Sequence, residues 1–343
     1  MEIDAVISPA DLLEVPGIVK AAEKNGFGAV WTPETIHNPF LVSLLAAEHT
    51  RAMKVGTAVA ISFARSPTTI AYTAWDLAKA SHGRFILGLG TQVKAHIERR
   101  FGMAWPESVV TKLREQIYAI RSLWKTWQTG APLRFRGEYY KLGLMSPFFN
   151  PGPIEHPSIP VYIAGVNRGL ARLAGEAADG FHIHPLHSRE YLEEVLLPSF
   201  KSGIAQRDKN LEDLTLSASV FVVTSEEERH YVRSQISFYA STPSYRSLMA
   251  FHGWDEQAQE LSRLASRAKW EQMPDLVSDR MLEAFAVDCE EKDLPDKLRI
   301  RYNGIVERIN LYKPYYPVEN NGFWEHLTSQ FKAIVQNKST KAG

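Results

Sequence analysis

The 343-residue sequence has a single cysteine, no net charge and no long apolar run. With Cys289 alone, neither an internal disulfide framework nor a site built from several thiolates can form, which favours a reducing compartment. Lysine plus arginine equals aspartate plus glutamate at 39 each, so the chain offers no basic excess for nucleic acid or anionic membranes. We therefore expect small molecules, and not polyanions, as its partners.

Signals for targeting are also missing. The first residues, MEIDAVISPADLLEV, place charges before any apolar run, unlike a signal peptide. No stretch approaches the roughly 20 apolar residues that span a bilayer. We expect a cytoplasmic protein without membrane association. Glycine patterns typical of phosphate loops and dinucleotide-binding turns are absent as well.

What the chain does have is the balance of an ordinary globular protein, with 45% apolar residues available for a large core. Short apolar runs alternate with longer amphipathic segments, which is typical of βα units around a parallel sheet. Eight runs are candidate strands: 3–7, 29–32, 54–61, 85–90, 161–164, 180–183, 216–223 and 305–311. Eight units favour a (β/α)8 barrel over the alternative, an open doubly wound sheet.

No linker divides the chain, so we expect one barrel domain over residues 1–343. Two intervals, about 129–160 and 242–294, are too long for simple connectors and predict insertions after strands 4 and 7. The first is typical of a hairpin with a Pro/Gly-rich continuation, and the second of inserted helices. We expect both beside the barrel mouth, where loops after strands build active sites. Residues about 319–337 predict a C-terminal packing helix.

The segment RFILGLGTQ, residues 84–92, carries bulky side chains on one strand face and Gly88 and Gly90 on the other. If the bulky face packs under the helices, the glycine face leaves room in the upper barrel for a flat ring. The alternative is that these glycines only permit close packing. Thr91, Gln92 and His96 follow at the carboxyl end of the strand, where they could bond the edge of a heterocycle.

The segment VYIAGVNRGLA begins as a strand and continues as a helix, with Ala164 and Gly165 at the junction. The N-terminus of such a helix presents unpaired backbone N–H groups that attract phosphate. Arg168 could add a charge-assisted contact. The alternative is an ordinary βα turn with a surface arginine.

The segment WTPETIHNPF places Glu34 and His37 in a short loop after the second predicted strand. A carboxylate and an imidazole at such a position can exchange protons with a substrate or bond a cofactor. A capping or surface role is the alternative.

His182 and His184 are two residues apart and share one face of a strand, a spacing that metal ligands use. No clear further set of ligands at other strand ends completes a hydrolase site, so we expect no metal. The two histidines are then expected to line the substrate pocket or to pack structurally.

Several segments together resemble the luciferase-like monooxygenase superfamily along nearly the whole chain. They are WTPETIHNPF, VGTAVAISFARSP, GRFILGLGTQVKAHIERRFGMAW, VYIAGVNRGLARLAGEAADGFHIHP and ERINLY. Within them, GTQVKAHIERRFG is similar to the branch that uses the deazaflavin coenzyme F420. The resemblance implies a (β/α)8 barrel, a cofactor ring in its mouth with the phosphate tail held after the fifth strand, and a homodimer.

The resemblance also implies which residues meet the cofactor. Glu34 and His37 occupy the loop that contacts the ring in deazaflavin relatives. The bulge on strand three, which often contains a cis non-proline peptide and backs the ring, matches Thr57, Ala58 and Val59. The contacts after strand four and the grip on the phosphate or side chain match Gly90, Thr91, Gln92, His96, Ala164, Gly165, Val166, Asn167 and Arg168. This chain departs from its relatives at Val166, where many have a second glycine, and in separating Glu34 from His37.

The implied reaction is hydride transfer between coenzyme F420 and a small organic substrate, with His37 or Glu34 as proton donor or acceptor. With FMN instead, the enzyme would be a monooxygenase that activates oxygen, served by a separate flavin or F420 reductase. Two further alternatives stay open. One is a flavin-binding barrel without turnover, and the other is a metal-dependent hydrolase acting through His182 and His184.

Overall fold

Eight parallel strands form a closed barrel in the computed structural model, which describes residues 1–207, 210–318 and 321–339. The strands are β1 (Glu2–Val6), β2 (Ala29–Thr32), β3 (Lys54–Thr57, continued by Ala60–Ile61), β4 (Phe85–Gly90), β5 (Val161–Gly165), β6 (Gly180–Ile183), β7 (Thr215–Val223) and β8 (Arg308–Leu311). The last strand returns to the first, with Arg308 opposite Glu2 and Asn310 opposite Asp4. The predicted (β/α)8 barrel is confirmed.

Helices cover the outside of the barrel. They are α1 (Val15–Asn25), α2 (Pro39–His49), α3 (Pro67–Ala80), α4 (Val109–Thr129), α5 (Arg168–Ala177), α6 (Leu197–Ile204, preceded by Arg189–Tyr191 and the π-turn Leu192–Leu196), α7 (Glu226–Ala240) and α8 (Leu294–Tyr302). Local sequence sets their ends: the hydroxyls of Ser66, Ser108 and Ser225 cap α3, α4 and α7 by accepting backbone N–H groups. Gly26, with φ +81°, ends α1 in the left-handed conformation.

Strand alternation separates two cores. Outward-facing side chains such as Leu87 and Ile309 join the helices in one large cluster, whereas inward-facing side chains form a small cluster in the lumen that includes Trp31. Beside it the buried Asp4 carboxylate accepts hydrogen bonds from Trp31 Nε1 at 2.8 Å and from Arg308 Nη2 at 2.6 Å. This part of the lumen is packed with side chains, as in other barrels of this kind.

The first insertion contains the predicted hairpin, Phe135–Arg136 paired with Lys141–Leu142. The hairpin packs along α4, where the Glu115 carboxylate accepts the backbone N–H of Tyr139 at 2.8 Å and the Tyr139 hydroxyl accepts that of Ser108 at 2.9 Å. Residues 129–160 follow the end of α4, but the hairpin packs back against the first half of this helix, near its N-cap Ser108. That half of α4 begins on the side of the barrel mouth, because the helix follows β4.

The second insertion holds helices, as predicted: Arg246–Phe251, Asp255–Ser266 and Asp279–Phe285. It closes with a short strand, Ala286–Asp288, that pairs with the end of β7. The C-terminal helix runs over Asn321–Ser339, while positions 319 and 320 of its predicted span lie outside the described residues. Within the described part of the chain, no helix is long and apolar enough to cross a membrane.

Candidate active site

A cavity of about 450 Å³ opens at the carboxyl ends of the barrel strands, a size typical of small-molecule sites. Its lining comes from seven of the eight strands or the loops after them and from α7. It includes Val6, Pro33, Thr35, Ala58, Val59, Ala164, His182, His184, Ser219, Tyr231, Tyr239, Asn310, Tyr312 and Lys313. A second depression, of about 540 Å³, lies at the opposite end beside Glu2 and Lys54. We take the first as the candidate site because barrel enzymes place their chemistry at the carboxyl ends of the strands.

One wall of the cavity is a bulge in β3. Ala58 and Val59, joined by a cis peptide bond, interrupt the strand and both line the cavity. The Thr57 hydroxyl donates to the Gly88 carbonyl at 2.7 Å and accepts the Gly88 N–H at 2.9 Å. A side chain thus makes the contacts with β4 that backbone groups would make in a regular ladder. The bulge and the cis peptide expected on strand three are both present.

The glycine face of β4 points into the barrel as predicted, but the space beside it is filled. A Cβ atom on Gly88 would lie 1.8 Å from the Thr57 carbonyl oxygen, and one on Gly90 would lie 2.3 Å from Val59 Cγ2. Val59, and not Gly90, borders the cavity. The glycines therefore permit close packing, and this packing holds the bulge that forms one wall of the cavity. They contribute to the cavity through the bulge and not by leaving open space beside β4.

Glu34 is held in an ion pair. Its two carboxylate oxygens accept both terminal nitrogens of Arg65 at 2.7 Å each, and Oε2 also accepts the Ile61 N–H at 2.7 Å. The carboxylate side chain is 7% exposed. Bidentate pairs of this kind fix geometry strongly. Glu34 therefore ties the loop after β2 to the second half of β3 and has no place on the cavity lining.

His37 also lies away from the cavity. Its Nε2 is 3.2 Å from the Ala10 carbonyl oxygen, in the loop after β1. Pro33 and Thr35, in the same loop, are the residues that line the cavity. The loop thus presents a threonine to the site where an imidazole was expected.

The polar residues after β4 turn away from the cavity. Gln92 adopts φ +59°, and its side-chain oxygen accepts the Val93 N–H at 3.0 Å. The Thr91 hydroxyl donates to the Gln92 carbonyl at 3.2 Å. His96 is exposed on the short helix Lys94–Arg99. These three side chains could contact only a ligand that extends out of the cavity past the end of β4.

The junction of β5 and α5 lies beside the cavity. Ala164 lines it, Gly165 ends the strand, and Val166 is buried. Asn167 caps α5 by accepting a backbone N–H at 3.0 Å. Arg168 is exposed, and within the described residues its guanidinium has no hydrogen-bond or ion-pair partner. The start of α5 can therefore offer backbone N–H groups and one unpaired cation to an anion.

His182 lies in the lumen and lines the cavity at only 6% exposure. Its ring meets Trp31 edge-on at 4.6 Å, and its buried Nε2 has no hydrogen-bond partner among the residues described. Burial, with a smaller effect of Arg308, lowers its pKa to about 3. The imidazole is therefore neutral, with one ring nitrogen that donates and one that accepts.

His184 has different surroundings. Its Nδ1 accepts the Leu186 N–H at 3.1 Å, so the neutral ring carries its proton on Nε2, 2.9 Å from the Tyr245 hydroxyl. Burial, with a smaller effect of His187, lowers its pKa to about 3. In the described ranges no group of three or more His, Cys, Asp or Glu side chains could hold a metal ion. His182 and His184 thus have separate environments, the first without a partner for its Nε2 among the described residues and the second bonded to Tyr245.

Several lining residues were not predicted. The hydroxyls of Tyr239 on α7 and Tyr312 after β8 are 2.7 Å apart, and Tyr312 donates to Gln235 Oε1 at 3.2 Å. Asn310 is 3% exposed, and its Oδ1 has no partner among the residues described. Alternation along RINLY could have placed Asn310 in the lumen with Arg308. No sequence pattern indicated Tyr239, because the sequence does not show that α7 lies beside the cavity.

A model of the luciferase-like monooxygenase family matches residues 4–307. The chain belongs to this family. An uncharacterized protein of Mycobacterium tuberculosis is 40% identical over 315 residues, which are 90% of this chain and 92% of that protein. The 5,10-methylenetetrahydromethanopterin reductase of Archaeoglobus fulgidus is 27% identical over 296 residues, covering 83% and 85%.

Among solved structures, the coenzyme F420-dependent tetrahydromethanopterin reductase of Methanopyrus kandleri superposes with a TM-score of 0.76 at 20% identity. The match covers 96% of this chain and 98% of that one. At this identity the likeness shows the fold, which is the barrel of the luciferase-like family.

Lys313 completes the cavity of this luciferase-like protein. It follows β8, and its Nζ lies 2.6 Å from Glu228 Oε1 on α7. The other oxygen of Glu228 accepts the N–H and the hydroxyl of Thr224, both at 2.7 Å. The ammonium group is thus paired within the fold.

Proposed function

We propose that the protein is an oxidoreductase that transfers hydride between coenzyme F420 and a small organic substrate. The observation that carries this proposal is a cavity with the Ala58–Val59 bulge as one wall and, in its lining, the imidazole of His182, whose Nε2 has no partner among the described residues. A planar heterocycle fits such a site, because its faces need an uncharged wall and its N–H and C=O groups need hydrogen-bond partners. The reductases among the relatives favour a deazaflavin over FMN.

Each part of the cofactor would meet a different part of the site. Ala58 and Val59 would support one face of the ring, and His182 would bond a polar edge. Arg168 and the start of α5 would hold an anionic group of the tail. When bound, the deazaflavin supplies a hydride donor or acceptor. The chain orients the reactants and keeps water away from them.

Glu34 would act at a distance from the ring in this scheme. By bonding Arg65 and the Ile61 N–H, it fixes the backbone that follows the bulge. The proton role predicted for Glu34 or His37 gains no support from the geometry. Of the hydroxyls in the lining, Tyr239 has a pKa that burial raises to about 12, so it keeps its proton at neutral pH. We assign it the role of holding a hydrogen bond to substrate.

Titration of the purified protein with coenzyme F420 and, separately, with FMN tests the proposal, with binding followed by fluorescence. We expect micromolar binding of F420 and weaker binding of FMN. Arg168→Ala should weaken F420 binding, whereas Arg172→Ala, exposed on the same helix, is the matched control. Binding of neither cofactor would refute the proposal, and tighter binding of FMN would replace it with the monooxygenase alternative.

We also propose that the protein forms a homodimer through α2. The outer face of this helix is mostly apolar: Leu41 and Leu44 are 50% and 38% exposed, next to Ile36 at 71%, and Glu48 is its exposed charged residue. An apolar patch of this kind usually marks an interface. Light scattering should give twice the mass of one chain. Leu41→Lys should yield monomers and Ile300→Lys, an equally apolar exposed site on α8, should not; a monomeric native protein would contradict the proposal.

A further inference from the structure

The lining of the mouth cavity carries no unpaired charge. Among the described residues that form it there is no aspartate, glutamate or arginine, and its one cationic side chain is Lys313. Glu228 neutralises that ammonium group at 2.6 Å. Burial acts to raise the pKa of Glu228, but hydrogen bonds from Lys313 and Thr224 outweigh it and lower the pKa. Glu228 is therefore a carboxylate, and the pair is neutral as a whole.

The imidazoles in the lining add no charge. Burial lowers the pKa of both His182 and His184 to about 3, so both rings are neutral near pH 7. A carboxylate or phosphate entering this cavity would lose hydration without meeting a free cation, and such burial is strongly unfavourable. The cavity therefore selects against anions.

Neutral polar groups, by contrast, find a partner in Asn310. This side chain on β8 lies opposite Ser219 of β7, and its Oδ1 is buried without a hydrogen bond to any described residue. A buried amide without a partner costs free energy, so a ligand that completes its hydrogen bonds gains affinity. An amide both donates and accepts, which suits a carbonyl or a hydroxyl group.

The surfaces around Asn310 are aromatic and apolar. Tyr231, Tyr239 and Tyr312 border the same cavity, together with Leu311 and Ile183. The two phenols that bond each other present ring surface as well as oxygen, and aromatic side chains supply large apolar contact areas. An apolar or aromatic body would therefore be well held beside the amide.

We infer that the cavity takes an uncharged organic substrate with an apolar or aromatic body and one carbonyl or hydroxyl group, which the Asn310 amide holds. Asn310 is then a specificity-determining residue, and the Lys313–Glu228 pair keeps the site neutral. The inference rests on the proposed function only in calling the bound molecule a substrate. The preference for uncharged molecules over anions follows from the absence of an unpaired charge among the described lining residues.

Four probes that share a phenyl ring test the inference: acetophenone, 1-phenylethanol, benzoate and phenyl phosphate. Their binding to the full chain, without cofactor, is measured by saturation-transfer NMR titration. We expect both uncharged probes to bind at least about tenfold more tightly than either anion, because the anions lose hydration without a free counter-charge. Equal or tighter binding of an anion, or no binding of either uncharged probe at millimolar concentration, overturns the inference.

Variants of Glu228 and Asn310 test whether these residues cause the preference for uncharged probes. Glu228→Gln unmasks Lys313 and should raise the affinity for benzoate and phenyl phosphate about tenfold while leaving that for acetophenone unchanged. Glu226→Gln removes the same charge from an exposed site on α7 and should change nothing. Asn310→Leu should weaken both uncharged probes about tenfold, with circular dichroism confirming the fold. Unchanged anion binding in Glu228→Gln, or unchanged binding of the uncharged probes in Asn310→Leu, would also overturn it.

The cofactor titration is independent of these measurements. If F420 and FMN both fail to bind while the probe preference holds, the proposed function is lost and the inference about the cavity stands. If a cofactor binds and the anionic probes are preferred, the proposed function stands and the inference about the cavity is lost.

Discussion

Gly90→Ala tests whether the wall of the cavity depends on the packing of β4 against the bulge. The new Cβ would lie 2.3 Å from Val59 Cγ2 and 3.3 Å from Val59 Cβ. To reach an ordinary carbon–carbon separation of about 3.5 Å, Cγ2 has to retreat by about 1.2 Å. Overpacking of this kind costs about 1–3 kcal/mol in free energy of unfolding.

The same geometry predicts a rescue. Val59→Ala removes Cγ2 and leaves the 3.3 Å contact with Cβ, which a small shift can relieve. In that background the Gly90→Ala penalty should fall below about 0.5 kcal/mol, giving a coupling of at least about 0.5 kcal/mol between the two positions. Unfolding by guanidinium chloride measures the four free energies. Because Val59 lines the cavity, Gly90→Ala should also weaken F420 binding.

Gly143→Ala is the control, since a Cβ there meets nothing within 4 Å. It should change the free energy of unfolding by less than about 0.5 kcal/mol. The reasoning fails if Gly90→Ala is as stable as the native protein. It also fails if the penalty of Gly90→Ala persists undiminished in the Val59→Ala background.

Two further predictions concern charged groups. Glu34→Gln breaks the bidentate pair with Arg65 and should lower the free energy of unfolding by about 2 kcal/mol, whereas the exposed Glu48→Gln should not; equal effects would contradict a special role for this pair. The imidazoles of His182 and His184 have pKa values lowered from 6.5 to about 3, so below pH 6.5 the unfolded chain binds more protons than the folded chain. Stability should therefore fall on acidification by about 1.4 kcal/mol per pH unit for each ring between pH 6 and 4. Denaturation at several pH values should show a shallower slope in His182→Asn, and an unchanged slope would refute the assignment.

Sequence periodicity was sufficient for the barrel and for the inward face of β4, because alternation along a strand is read directly from residue spacing. It also placed His182 in the lumen. Periodicity did not predict which residues of the loop after β2 face the cavity, where Pro33 and Thr35 line it and His37 does not. The side chains of a loop do not alternate in direction as those of a strand do. The pairing of Glu34 with Arg65 depends on a contact between segments 31 residues apart, and spacing alone does not reveal it.

The meaning of the glycines on β4 was also beyond the sequence. Spacing showed that side chains were missing from the inner face, but not what occupied their place. The structure fills that place with the neighbouring bulge, a contact between two strands. Asn310, by contrast, was within reach of the strand pattern, and its missing partner became evident only from the folded structure.

The Thr57 hydroxyl both donates to and accepts from the backbone of Gly88. The Gly88 amide is therefore expected to respond to changes in the bulge. The Gly88 N–H is bonded to a hydroxyl and not to a carbonyl of the neighbouring strand. Its protection against solvent hydrogen exchange therefore depends on the position of one side chain at the base of the bulge. A ligand that presses on Val59 acts on the residues immediately after Thr57. The exchange rate of this single amide should then register occupancy of the cavity without any label or turnover.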